Sequence, residues 1–101
     1  MHRKDILSTA SSLTTGERNK SYGEPYNNLS DIARLVSAYL NTRGIPCALD
    51  AEDIAHICVL QKMARSCNRS GVHNDNYIDM AAYSAIAGEC ADIGLAEREE
   101  V

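Results

Sequence analysis

Apolar residues recur at intervals of three and four in four stretches of the chain, and no stretch alternates apolar with polar over a strand's length. That periodicity is helical. The first stretch runs from about Lys4 to Leu13, with Ile6, Leu7, Ala10 and Leu13 on one stripe. Gly16 lies just beyond, where a helix can end in a left-handed conformation. The polar stretch Glu17 to Tyr26 follows, and its Gly23 and Pro25 read as a turn-rich loop. The second helix is expected from Asn27 or Asn28, either of which can cap it. Leu29, Ile32, Ala33, Val36, Tyr39 and Leu40 form its stripe, and Gly44 then Pro46 stop it.

A third helix starts after Asp50, with Glu52 and Asp53 in the first turn facing the positive end of the helix dipole. From Ile54 to Leu60 it is apolar on nearly every side except His56, which places it in the middle of a bundle. A polar loop around Ser66–Asn74 leads to a fourth helix, expected from about Asp75 to Ala91. Ile78, Ala81, Ala82, Ala85, Ile86 and Ala87 give it a small-residue face that a neighbouring helix can approach closely. The fold class is therefore all-α: a compact four-helix bundle, its first helix short or peripheral. Residues 1–101 make a single domain, with 93–101 expected to be a frayed acidic tail.

Length agrees with that reading. At 101 residues the chain is about two thirds of a typical domain, too short for a doubly wound sheet enzyme, a barrel or two linked domains. Its 45% hydrophobic and 24% charged residues are an ordinary globular balance. The core must be built without Phe or Trp, because both are absent and the aromatics are five tyrosines. No signal-like apolar run opens the chain and no 18 consecutive apolar residues occur, so the expected compartment is the cytoplasm. Cys47, Cys58, Cys67 and Cys90 show no zinc-type spacing and read as reduced structural thiols.

The net charge of −4 is local. Residues 1–88 hold nine basic and nine acidic side chains, whereas residues 89–101 hold Arg98 against five acids. A neutral body argues against a broad DNA-binding face, yet it leaves room for a small anionic ligand beside Arg18/Lys20 or Lys62/Arg65/Arg69.

Three polar groups fall where a bundle does not require them. The loop from Lys20 through Tyr22 and Tyr26 to Asn28 joins a lysine, a glycine turn and a helix N-terminus, which suits phosphate or carboxylate; it also reads as a plain connector with a capping Asn. Lys62 and Arg65 share a face with Cys58 and Gln61 and could hold a phosphate, or simply compensate the helix dipole. His73, Asp75, Asn76, Asp79 and Tyr83 form the third group, in which Asn76, Asp79 and Tyr83 line one helical strip. Asp79 could bridge to Lys62 or Arg65, or join Asp75 in a Mg²⁺ site.

The strings SYGEPYNNLSDIARLVSAYL, VLQKMARS and HNDNYIDMAAYSAIAG resemble a family of small phage and prophage proteins of unknown function. Their order of cues, Y-G early, L-x-K-x-x-R mid-chain and D-N-Y-x-D near the end, is similar to the phage nucleotide-modification-associated domain and covers roughly residues 2–90. The resemblance implies a phage-encoded helical domain concerned with nucleotides, working in the host cytoplasm. A more distant likeness is to MazG-type nucleotide pyrophosphatases, whose E-x-x-E and E-x-x-D pairs hold Mg²⁺ against phosphates. Here Asn76-x-x-Asp79 replaces the second pair, only Asp31 stands for the first, and Glu89-x-x-Asp92 matches in letters near the tail. Hydrolysis with a metal needs several converging carboxylates, so binding without turnover is the leading expectation.

The expected ligand is a nucleotide or nucleotide-derived small molecule, with no cofactor. Lys20, Lys62 and Arg65 would meet phosphates, Tyr22 or Tyr26 would stack on a base, and Asn28, His73, Asn76 and Asp79 complete the candidate site. The alternatives are a Mg²⁺-dependent nucleotide hydrolase using Asp75 and Asp79, and a protein-interaction module. The latter would inhibit a host defence complex or form a homo-oligomer through the stripe of the first helix.

Overall fold

Each of the four periodic stretches forms a helix. The computed structural model describes residues 1–16, 23–68 and 71–100, and no strand occurs among them. The helices are α1 (Arg3–Thr14), α2 (Pro25–Thr42), α3 (Ala51–Ser66) and α4 (Asn74–Glu99). Among the described residues no helix is long and apolar enough to cross a membrane.

The helix ends follow from local chemistry. α2 begins at Pro25, two to three residues before the Asn27 or Asn28 start read from the sequence. A proline lacks the N–H that the first turn leaves unpaired, and its fixed φ already suits a helix, so it opens the helix and does not prolong the loop. At the other end the Gly44 N–H bonds the Asn41 carbonyl and the Ile45 N–H bonds that of Leu40, both at 2.9 Å. This is a Schellman stop, and it uses the left-handed φ of +83° at Gly44.

The connector to α3 is held by two α2 side chains. Asn41 Nδ2 donates to the Cys47 carbonyl and its Oδ1 accepts from the Cys47 N–H, both at 3.0 Å. Ser37 Oγ accepts from the Leu49 N–H at 2.9 Å. α3 then starts on a reciprocal capping box: Asp50 accepts from the Asp53 N–H at 2.9 Å, and Asp53 accepts from the Asp50 N–H at 3.0 Å.

α4 is the spine. α3 packs along it most extensively, α1 next, and α2 leans mainly on α3. One core cluster joins Leu29 and Ala33 of α2, Ala51, Ile54 and Ala55 of α3, and Ala87 and Cys90 of α4. A second joins Ala10 of α1 to Ile78 and Ala82 of α4, with Ile6 and Ala81 packed against it. Most of these residues are small, so the helices approach closely in place of interlocking aromatics. All four cysteines are free thiols.

Two sequence expectations require correction. The fourth helix continues to Glu99, well past Ala91, and residues 93–99 are helical; Tyr26 of α2 donates a 2.6 Å hydrogen bond to Glu97, giving the acidic end a tertiary contact. α3 is not enclosed on all sides, because Ile57, Leu60 and Met63 are 48%, 59% and 47% exposed. The stripe of α1 is divided: Ile6 and Ala10 pack on α4, whereas Leu7 and Leu13 are exposed.

Candidate functional site

A cavity of about 550 Å³ lies where the end of α1 and the start of α2 meet the paired helices α3 and α4. That volume is within the range of small-molecule sites. Its apolar wall includes Leu13, Leu29, Ile32 and Ile86, and its polar groups come from Thr14, Asn28, Cys58, Lys62, Asp79 and Tyr83.

Helical spacing explains the α3 and α4 contributions. Cys58 and Lys62 are four residues apart, as are Asp79 and Tyr83, so each pair stacks on one face of its helix. The facing pairs meet across the α3–α4 seam. Lys62 Nζ lies 3.0 Å from Asp79 Oδ2, with side chains 16% and 31% exposed. Tyr83 hydrogen-bonds the Cys58 thiol. Burial pushes that thiol's pKa up, while the Tyr83 bond and the Lys62 charge oppose the shift. Cys58 is therefore held as a protonated thiol, a poor nucleophile.

The α2 N-terminus closes one side, through Gly23, Pro25 and Asn28. Its N-cap residue, Glu24, makes no side-chain capping bond. The first turn thus brings partial positive charge to the cavity mouth. The site offers an acceptor (Asp79), a cation (Lys62) and a helix start around an apolar floor, a combination suited to a ligand with both a ring and an anionic group.

The candidates from the sequence divide clearly. Asn28, Lys62 and Asp79 border this one cavity. Arg65 does not; three residues beyond Lys62 it has turned about 60° round the helix and is exposed. Asn76 and His73 are also outside the lining, and His73 is exposed at the N-cap of α4. Tyr26 faces away, lining a smaller cavity with Glu97 and Cys90. Lys20 and Tyr22 lie outside the described residues. Cys58, on the face of Lys62, and Tyr83, on the strip of Asp79, also border the cavity although neither is among the binding candidates; their i, i+4 spacing to Lys62 and Asp79 is the signal that places them there.

For a divalent metal the donor set is thin. Asp75 is exposed and outside the cavity, and Asp79 is engaged by Lys62. Asp31 pairs with Arg34 on the exposed face of α2, and Glu89 and Asp92 are exposed on α4. Among the described residues no group of three or more His, Cys, Asp or Glu side chains is placed to hold a metal ion.

Comparison with known proteins adds a lineage. The chain is 41% identical over 81 residues to the "Gene 55 protein" of Mycobacterium phage D29, an alignment covering 80% of this chain and 50% of that protein. The chain thus spans about half the length of this curated relative. No solved structure matches. Residues 5–91 match the family described as Domain of unknown function (DUF6378), so the Lys62–Asp79 cavity lies within the matched region and the chain belongs to that phage-associated family.

Proposed function

We propose that this domain binds a nucleotide or nucleotide-derived small molecule in the cavity between α2, α3 and α4. The observation that carries the reading is the meeting of Lys62, Asp79 and Asn28 on a single cavity of about 550 Å³ with an apolar wall. A base would rest against Ile32 and Ile86. Asp79 would accept from a base amine or sugar hydroxyl, and a phosphate would lie between Lys62 and the start of α2. In a phage setting, binding without turnover would sequester a host signal of this chemistry.

Thermal unfolding with mono-, di- and cyclic nucleotides tests it. A ligand at a hundredfold over its Kd stabilises the fold by about 2.7 kcal/mol. The shift should disappear in Lys62→Met and persist in His73→Ala, which lies outside the cavity. A folded protein that responds to none of these compounds overturns the proposal, and conversion of the nucleotide would replace binding by hydrolysis.

A further inference from the structure

α1 is held to the bundle by one footing. It rests on α4, and on neither α2 nor α3 to a comparable extent. Of its twelve described residues only Ala10 is buried. The cluster there joins Ala10 to Ile78 and Ala82 of α4, with Ile6 and Ala81 packed against it. The other three helices share a separate cluster, built from Leu29, Ala33, Ile54 and Cys90 among others. The hydroxyls of Ser12 and Thr14, and that of Thr15 just past the helix, donate back to the carbonyls of Ser8 and Ser11 in α1 itself. These bonds spend polar side chains within α1 and add nothing to its hold on α4.

So small a footing is a small share of the whole fold. Burial of apolar surface is the main force holding a helix to its neighbours, and an alanine contributes little of it. α1 has 12 residues, and isolated helices shorter than about 12–15 residues are marginal in water. Leaving α4 and losing helical structure are therefore one event for α1. The Leu29–Ile54–Cys90 cluster holds α2, α3 and α4 together without it.

The footing adjoins the cavity. Ala82 belongs to both, and Ile78 immediately precedes Asp79 in α4. Leu13 and Thr14, at the end of α1, form part of the cavity wall. Elements that move at binding sites are drawn from the least stable parts of a fold. We propose that α1 is a lid on this cavity: it undocks from α4 as a unit, well below the free energy of global unfolding, and its departure opens the cavity to solvent. Such a lid would govern entry to the nucleotide site read above, and it would operate in the same way for a ligand of another class.

Hydrogen exchange and iodoacetamide labelling of the full chain, without ligand or denaturant and both read peptide by peptide by mass spectrometry, decide it. After correction for intrinsic rates, α1 amides should exchange roughly a hundredfold faster than the slowest amides of α3. Ala10→Glu places a charge in the footing and should remove the remaining protection of α1. The same change should speed labelling of Cys58, which is half-buried and lines the cavity, by about tenfold. Cys90 is buried in the other cluster and should label as slowly as in the wild type. Ile6→Ala is milder and should move both readings in the same direction by less. Wild-type α1 amides that exchange no faster than those of α3, or Cys58 labelling that neither variant accelerates, overturn the proposal. So does Cys90 labelling that rises in step with that of Cys58 in both variants, because the whole fold would then be opening.

Discussion

Lys62 of α3 and Asp79 of α4 form a 3.0 Å ion pair at the edge of the main cavity, with side chains 16% and 31% exposed. The pair joins the two most extensively packed helices and supplies two of the cavity's polar groups. Enclosed to this degree, each charge has given up part of its hydration, so loss of one partner leaves the other poorly compensated.

Lys62→Met and Asp79→Asn should therefore each destabilise the fold, by about 1–2 kcal/mol in urea unfolding. The double variant should cost less than the sum, giving a coupling energy of roughly 0.5–1.5 kcal/mol. Strictly additive costs would show that the two groups interact with water more than with each other.

The close approach of α3 to α4 rests on Ala55, which is fully buried in the core beside Ile54. Ala55→Leu should force the helices apart and cost about 1–3 kcal/mol. Ile54→Ala should open a cavity and cost about 2–5 kcal/mol. Both are read from urea midpoints. Wild-type stability in Ala55→Leu would mean that the seam has slack which the packing does not show.

The helices and this seam were legible in the sequence because their residues repeat at three and four. What periodicity could not show was which apolar face of α3 meets its neighbours, since Ile54 and Cys58 lie on one side and Ile57 and Leu60 on the other. The start of α2 was displaced because Pro25 signals a loop end and a helix start with the same residue. The length of α4 was underestimated because a run of acids suggests fraying, while the Tyr26–Glu97 contact joins positions 71 residues apart. For the site, the Lys62–Asp79 bridge was foreseeable from complementary charge. The α1 wall was not, because Leu13 and Thr14 carry no chemical signal until the chain folds back over the cavity.

Cys58 and Cys90 make the fold sensitive to alkali. Burial raises both thiol pKa values, and at Cys90 the nearby Glu89, Asp50 and Glu52 add to the effect. A group whose pKa is higher in the folded state contributes stability that is fully present below its unfolded pKa. That stability is lost as the pH climbs through the folded value. Urea midpoints should therefore fall as the pH rises through and beyond the ordinary thiol range, and Cys58→Ala with Cys90→Ala should flatten the decline. An unchanged slope in the double variant would assign the alkaline loss to other groups.

Tyr26 should ionise later than an ordinary tyrosine. Its hydroxyl donates to Glu97 Oε2 at 2.6 Å, and this hydrogen bond is the main cause of its raised pKa, followed by burial and the carboxylate's charge. Ionisation would remove the donor and place a phenolate against a carboxylate. Subtracting the ultraviolet titration of Tyr26→Phe from that of the wild type isolates this residue. Its midpoint should lie above that of a free tyrosine and move back toward it in Glu97→Gln, which keeps an acceptor but removes the charge. The midpoint also reports on the end of α4, since a helix that unravels before Glu97 would leave Tyr26 with an ordinary titration. A difference curve at the free-tyrosine position in the wild type would therefore show that the contact between α2 and the acidic end does not form in solution.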